Sequence, residues 1–94
     1  MMVNVGSIDS SDLMINVELN SNKGMLKITN LVPEIEDVLI IELVLPIINE
    51  FNLQNLKIKI FYNGANGWVI RSRFEALSIL IKEQNLVREG ELLV

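Results

Sequence analysis

Four short polar residues in a row, Asp9-Ser10-Ser11-Asp12, place two hydroxyls and two carboxylates within a single turn of chain. A serine hydroxyl is a poor nucleophile unless an adjacent base takes its proton. The chain has no histidine and no cysteine, and no lysine lies near residue 10, so Ser10 is not expected to attack a substrate. A serine on an exposed turn with small neighbours is, however, well presented as an acceptor on which another enzyme installs a group. Asp9 and Asp12 could divide acid and base roles if their surroundings differed. Turn-forming side chains that bond their own backbone are the commoner use of such residues. A calcium loop needs several more oxygen ligands at ordered spacing. With thiolate and imidazole ligands also missing, no metal site and no catalytic residue are expected.

Two further clusters invite a chemical reading. Arg71, Arg73 and Glu75 form the most specific charged group. On a helix Arg71 and Glu75 share a face while Arg73 points elsewhere. Such a group serves either as a surface ion pair, worth well under about 1 kcal/mol, or in contact with a phosphate or a partner's carboxylate; Asp12 is a further candidate contact. Gly64-Ala-Asn-Gly67 precedes a helical pattern but lacks the Lys-Ser/Thr of a phosphate-binding loop and the third glycine of a dinucleotide fingerprint. An ordinary left-handed turn is the expected role.

These residues sit on a chain of 94 residues, half of them apolar, with a net charge of -4 and a pI near 4.7. The length favours one compact domain over residues 1–94. The acidic balance removes the attraction that phosphate backbones require, so nucleic acid is not an expected partner. The longest apolar stretch, Val38 to Ile48, is interrupted by Glu42 and Pro46 and falls short of the roughly 20 residues of a membrane span. Residues 1–9 show no basic segment followed by an apolar core, so no secretory signal is read and a cytoplasmic location is expected.

Hydropathy periods supply the elements. Met2–Ile8 and Leu13–Leu19 alternate with a period of two, as half-buried strands do. They predict a hairpin with Ser10 and Ser11 at its tip. A turn over 20–24 leads to a third strand at Met25–Thr29. Pro33 and the acids Glu34, Glu36 and Asp37 predict a helix over about Glu34–Phe51, apolar nearly all round and bent at Pro46. Such a helix is either a central core helix or a surface that another subunit covers, and the second use predicts self-association of the isolated chain. Leu56, Ile58 and Ile60 mark a fourth strand ending in the turn signal Tyr62-Asn63-Gly64. Asn66 as N-cap and Ile70, Phe74, Leu77 and Ile81 at helical spacing predict a second helix to about Gln84. The segment 85–94 has no clear period and reads as a flexible tail or one docked on a partner. The order β-β-β-α-β-α implies an α+β domain with two helices packed on a sheet.

At this point a family resemblance becomes visible. Gly6-Ser7-Ile8-Asp9-Ser10-Ser11-Asp12-Leu13-Met14-Ile15 resembles the glycine, hydroxyl, aliphatic, acid, Ser-Gly-Asp, aliphatic pattern of the citrate lyase acyl carrier (gamma) subunit. The delta subunit of malonate decarboxylase is a close relative of that family. The resemblance resumes at Phe51-Asn52-Leu53 and the Leu56–Ile60 strand. It is strongest at Asn63-Gly64-Ala65 and Ile70-Arg71-Ser72-Arg73-Phe74-Glu75-Ala76-Leu77, which is similar to the family's Asn-Gly-Ala and Arg-x-Arg-x-Glu segments. Two positions depart from the pattern: Ser11 stands where the family usually has glycine, and Gly67 where citrate lyase carriers tend to have an acid.

The resemblance implies that Ser10 carries a phosphoribosyl dephospho-CoA arm through a phosphodiester bond, with Ser11 as second choice. It implies a non-catalytic subunit of an oligomeric complex. Its partners would be the citrate lyase alpha (transferase) and beta (citryl lyase) subunits and an enzyme that loads the arm. The arm would carry acetyl and citryl thioesters while citrate is cleaved to acetate and oxaloacetate. A carrier needs no catalytic side chains of its own, because the cofactor and the partner subunits supply the chemistry. The alternatives are the carrier of malonate decarboxylase, a structural subunit without a prosthetic group and, more remotely, an acid-base enzyme using Asp9 and Asp12.

Overall fold

Alternation puts Val3 and Val5 on the same side of the chain as Leu13, Ile15 and Val17, and that side becomes the floor of the core. In the computed structural model, which describes residues 1–20 and 23–88, β1 (Met2–Gly6) and β2 (Asp12–Glu18) pair antiparallel, with Val3 opposite Val17 and Val5 opposite Ile15. The hairpin is as expected. β1 stops two residues early, at Gly6, whose φ of +80° turns the chain out of the strand.

β3 (Met25–Asn30), α1 (Asp37–Glu50), β4 (Lys57–Asn63) and α2 (Gly67–Arg88) follow, which completes the expected element order. The four strands form one sheet in the order β1-β2-β4-β3. β4 lies antiparallel to β2 and parallel to β3, and α1 makes the crossover that a parallel pair requires. Ile58, Ile60 and Tyr62 of β4 continue the apolar floor. Ile40, Val44 and Ile48 of α1 and Ile70, Phe74 and Leu77 of α2 close over it in one buried cluster. A fully buried Ile, Leu or Phe contributes about 1.5–3 kcal/mol, so this single layer of contacts is the main source of stability. The opposite face carries Asn4, Asn16, Glu18, Lys57 and Lys59, with Lys57 and Glu18 paired across β2 and β4 at 3.7 Å.

The first helix begins later than the sequence pattern suggests. Residues 33–35 form a turn, not a helical start, and the N-cap is Glu36, without a side-chain cap bond. The cause is Asn30. Its Oδ1 accepts from the Val32 N–H at 2.8 Å, while its Nδ2 donates to the Ile35 carbonyl at 2.5 Å and to Asp37 at 3.1 Å. The loop is thus wound on one amide side chain before α1 begins. α1 runs through Pro46 as one helix. At the other end Asn66 Oδ1 accepts from the Val69 N–H at 3.0 Å, the expected cap of α2. α2 continues to Arg88, past the predicted end at Gln84, and residues 89–94 of the expected tail lie outside the described residues. No helix of the described residues is long and apolar enough to cross a membrane.

The apolar excess of α1 divides in two. One stripe is buried, whereas Val38, Leu39, Leu43 and Leu45 remain exposed, and an oily stripe of this kind favours association. The isolated chain is therefore expected to self-associate as concentration rises, and Leu43→Lys to weaken that association. Sedimentation velocity across a concentration series checks this, and a wild-type chain that stays monomeric throughout would contradict it.

Candidate functional site

Loop 7–11 hangs between β1 and β2, and a set of hydrogen bonds ties it to β2 and to the end of β4. A Cβ on Gly6 would stand 2.0 Å from the Leu13 carbonyl oxygen, so only glycine lets the two strands approach here. The Ser7 N–H donates to that carbonyl at 3.2 Å. Ser7 Oγ accepts from the Asp9 N–H at 3.2 Å and donates to Asp12 Oδ2 at 2.7 Å. The Asp12 N–H donates to the Asp9 carbonyl at 3.1 Å, and the Ser11 N–H to the Asn63 carbonyl at 2.8 Å. Asn63 Nδ2 donates in turn to the Ile8 carbonyl at 2.9 Å. Asn63, at the end of β4, therefore grips both limbs of the loop. Tyr62 holds the following turn through its hydroxyl, which donates to the Ala65 carbonyl at 2.9 Å.

Asp12 is the centre of this arrangement. Only 9% exposed, it accepts four hydrogen bonds. Oδ1 takes the Leu13 N–H at 2.7 Å and Arg73 Nε at 3.0 Å; Oδ2 takes Ser7 Oγ at 2.7 Å and Arg73 Nη2 at 2.9 Å. The two-pronged guanidinium contact is the strong, orienting form of a carboxylate pair. Burial pushes the Asp12 pKa up. The hydrogen bonds from Arg73, Ser7 and Leu13 and the positive charge of Arg73 outweigh burial and hold it at about 2, below the ordinary 3.8. Asp12 thus remains an anion and is spent on structure, as a buried clamp; it is not the solvated turn residue suggested by its neighbours in sequence.

Ser10 lies at the outer end of the loop, exposed, and its hydroxyl makes no side-chain hydrogen bond among the described residues. Ser11 is also exposed but adopts φ +66°. The loop requires a left-handed residue at this position, and a side chain is strained there. Asp9 is exposed and contributes backbone groups to the turn. Gly64, with φ +90°, makes the expected left-handed turn and bridges to Asp12.

The structure brings Asp12 and Arg73 together under Ser10 and leaves Arg71 out. Arg71 donates to Glu50 of α1, pairs with Glu75 at 3.4 Å and lies 5.6 Å from the centre of the Phe51 ring. The expected pairing with Glu75 is present, and Arg71 as a whole ties the two helices together. Sequence reasoning singled out neither Ser7 nor Asn63. Both stand in the motifs quoted above, in Gly6-Ser7 and in Asn63-Gly64-Ala65, and that was the signal that could have found them.

With this geometry in view, comparison with known proteins is informative. The chain matches the model of the malonate decarboxylase delta subunit (MdcD), an acyl carrier family, over residues 2–78. The chain belongs to that family. No curated protein and no solved structure gives a significant match. The matched span contains all four strands, α1, Ser10, Asp12, Asn63 and Arg73.

Two outcomes follow for the carrier. Asp12 has a folded pKa below its unfolded value, so its contribution is fully present above pH ~4 and is lost as pH falls toward 2. A lowering of this size corresponds to up to about 2 kcal/mol. Asp12→Asn is expected to cost that much at pH 7, with the gap to wild type closing between pH 4 and 2; urea titrations at several pH values check it. Ser11→Gly is expected to relieve the left-handed strain and raise stability by about 0.5–1 kcal/mol, measured as an increase in Tm.

Proposed function

We propose that this acyl carrier subunit bears its prosthetic group on Ser10, as a phosphoribosyl dephospho-CoA arm in phosphodiester linkage, and serves a cytoplasmic malonate decarboxylase complex. The observation that supports the assignment to Ser10 is its position: an exposed hydroxyl with no hydrogen bond among the described residues, on a loop that Ser7, Asp12 and Asn63 hold in place. The residues present fit such a group. Arg73 neutralises Asp12, so of the two acids that flank Ser10, Asp9 alone stands uncompensated beside an added phosphodiester. Ser11 is the weaker acceptor, because its backbone conformation serves the turn and its amide is bonded to Asn63.

Loading forms a bond between Ser10 Oγ and phosphorus. The hydroxyl attacks an activated phosphoric anhydride, the anhydride's phosphate leaving group departs, and the hydroxyl proton passes to a base of the loading enzyme, since this chain holds no histidine. Once attached, the group supplies a thiol on which acyl groups are carried as thioesters. The chain's own residues hold the root of the arm still. Ser7, Asp12, Arg73 and Asn63 fix the loop against the sheet, so motion is confined to the arm and acyl delivery benefits from a high effective concentration.

The name of the matching family favours malonate decarboxylase. A second reading, the carrier of citrate lyase with its transferase and citryl lyase subunits, is favoured by the resemblance of Ser10-Ser11-Asp12 and Arg71-Ser72-Arg73-Phe74-Glu75 to that family's segments.

Intact mass after co-expression with the loading enzyme is expected to rise by one cofactor, in wild type and in Ser11→Ala but not in Ser10→Ala. No gain in wild type would instead support an unmodified structural subunit. The acetylated, loaded carrier mixed with its partner subunits is then expected to release carbon dioxide from malonate; release of oxaloacetate from citrate would establish the second reading.

A further inference from the structure

The face of the sheet turned away from the helices changes character row by row as it leaves the Ser10 loop. That loop joins β1 and β2 at their Gly6 and Asp12 ends. In strand register the first row on this face holds Met14, Phe61 and Thr29, and the second holds Asn16, Lys59 and Lys27. Met14 and Phe61 stand directly opposite one another, half-buried, and neither belongs to the core. Two and four residues along β2, the rows lie about 7 and about 14 Å from Asp12. An apolar step thus precedes a cationic one.

The fold alone does not account for the second row. Lys59 and Lys27 are register partners on adjacent strands, about 5 Å apart at the backbone, and no acid pairs with either among the described residues. Like charges so placed repel. A lysine on an edge strand guards against stray pairing, which explains Lys27 on β3 but not Lys59 on the interior strand β4. Beside them Asn16 Oδ1 is a buried acceptor without a hydrogen-bond partner, an uncommon and costly state. Asn16, Lys57 and Lys59 line one open hollow, and Lys57 is already engaged by Glu18. The row therefore offers two uncommitted positive charges and one acceptor in want of a donor. An anion that carries hydroxyl groups is the ligand such a set selects.

The arm proposed for Ser10 has that chemistry in that order. From its root it presents a ribose, an adenosine and then a diphosphate, whose first phosphorus follows about a dozen bonds after the root phosphorus, or about 14 Å when extended. Resting on the assignment of Ser10 above, we infer that this open face is the resting place of the arm on its own carrier. Met14 and Phe61 take the adenine, Lys59 and Lys27 the diphosphate, and Asn16 Oδ1 a ribose hydroxyl. α1 and α2 cover the other face of the sheet, so an arm rooted at the loop finds its open surface here. A short tether supplies an effective concentration in the millimolar range, and contacts of modest strength therefore suffice.

The test reads side-chain NMR resonances, in the unloaded chain with adenosine 5′-diphosphate as probe and in the loaded chain without it. The Asn16 amide and Phe61 ring signals are expected to shift in both. Changing both lysines, Lys27→Gln with Lys59→Gln, is expected to weaken the probe by about tenfold and to reverse most of the shift seen on loading, with Tm and the mass gained at Ser10 unchanged. If the loaded chain shows the same Asn16 and Phe61 signals as the unloaded one, the resting place falls while the Ser10 assignment stands. Shifts with the probe but not on loading assign the face to free nucleotides and also overturn it, as does a double variant that behaves like wild type. If intact mass shows no loading at Ser10, that assignment falls and the resting place with it.

Discussion

The two-pronged contact between Arg73 and Asp12 joins residues 61 apart in sequence, and the geometry of the loop depends on it. Without Arg73, Asp12 would be a carboxylate at the end of an interior strand, nine-tenths buried, with a large desolvation cost and no countercharge. With it, the same carboxylate orients Ser7, caps the start of β2 and fixes the base of the loop. Asn63 completes the hold by bonding both limbs from the neighbouring strand. The Ser10 hydroxyl takes no part in this bonding.

The division of labour between the two arginines follows from their spacing. Two residues apart on α2, they emerge on different sides. Arg73 reaches the hairpin, and Arg71 reaches α1 and the Phe51 ring. One helix therefore secures the loop and the other helix together. The core they brace is a single apolar layer between a sheet and two helices.

Much of this was legible in the sequence. Alternation at Val3, Val5, Leu13, Ile15 and Val17 located the hairpin, and the helical spacing of Ile70, Phe74 and Leu77 located α2, because burial repeats with the period of the element. The exposure of Ser10 on a turn was also legible, from its small polar neighbours. Less accessible were features set by contacts across the fold. Pro33 suggested a helix start, but the Asn30 side chain holds residues 32–35 in a turn and delays α1. Asp12 looked like a turn residue because its partner Arg73 is remote in the chain, and the parallel pairing of β3 with β4 leaves no mark in the period of either strand.

The central place of β4 has a consequence for when the site can exist. β4 is the last strand in sequence, yet it lies between β2 and β3 and bonds to both. During synthesis the first hairpin can form early, from local pairing alone, but its free edge waits for residues 57–63, and Asp12 waits longer still for residue 73. A ribosome-bound fragment that ends before α2 would display Ser10 on an untethered ribbon with a bare carboxylate beneath it. The fixed shape of the Ser10 loop is thus a property of the finished fold, out of reach of truncated or unfinished chains.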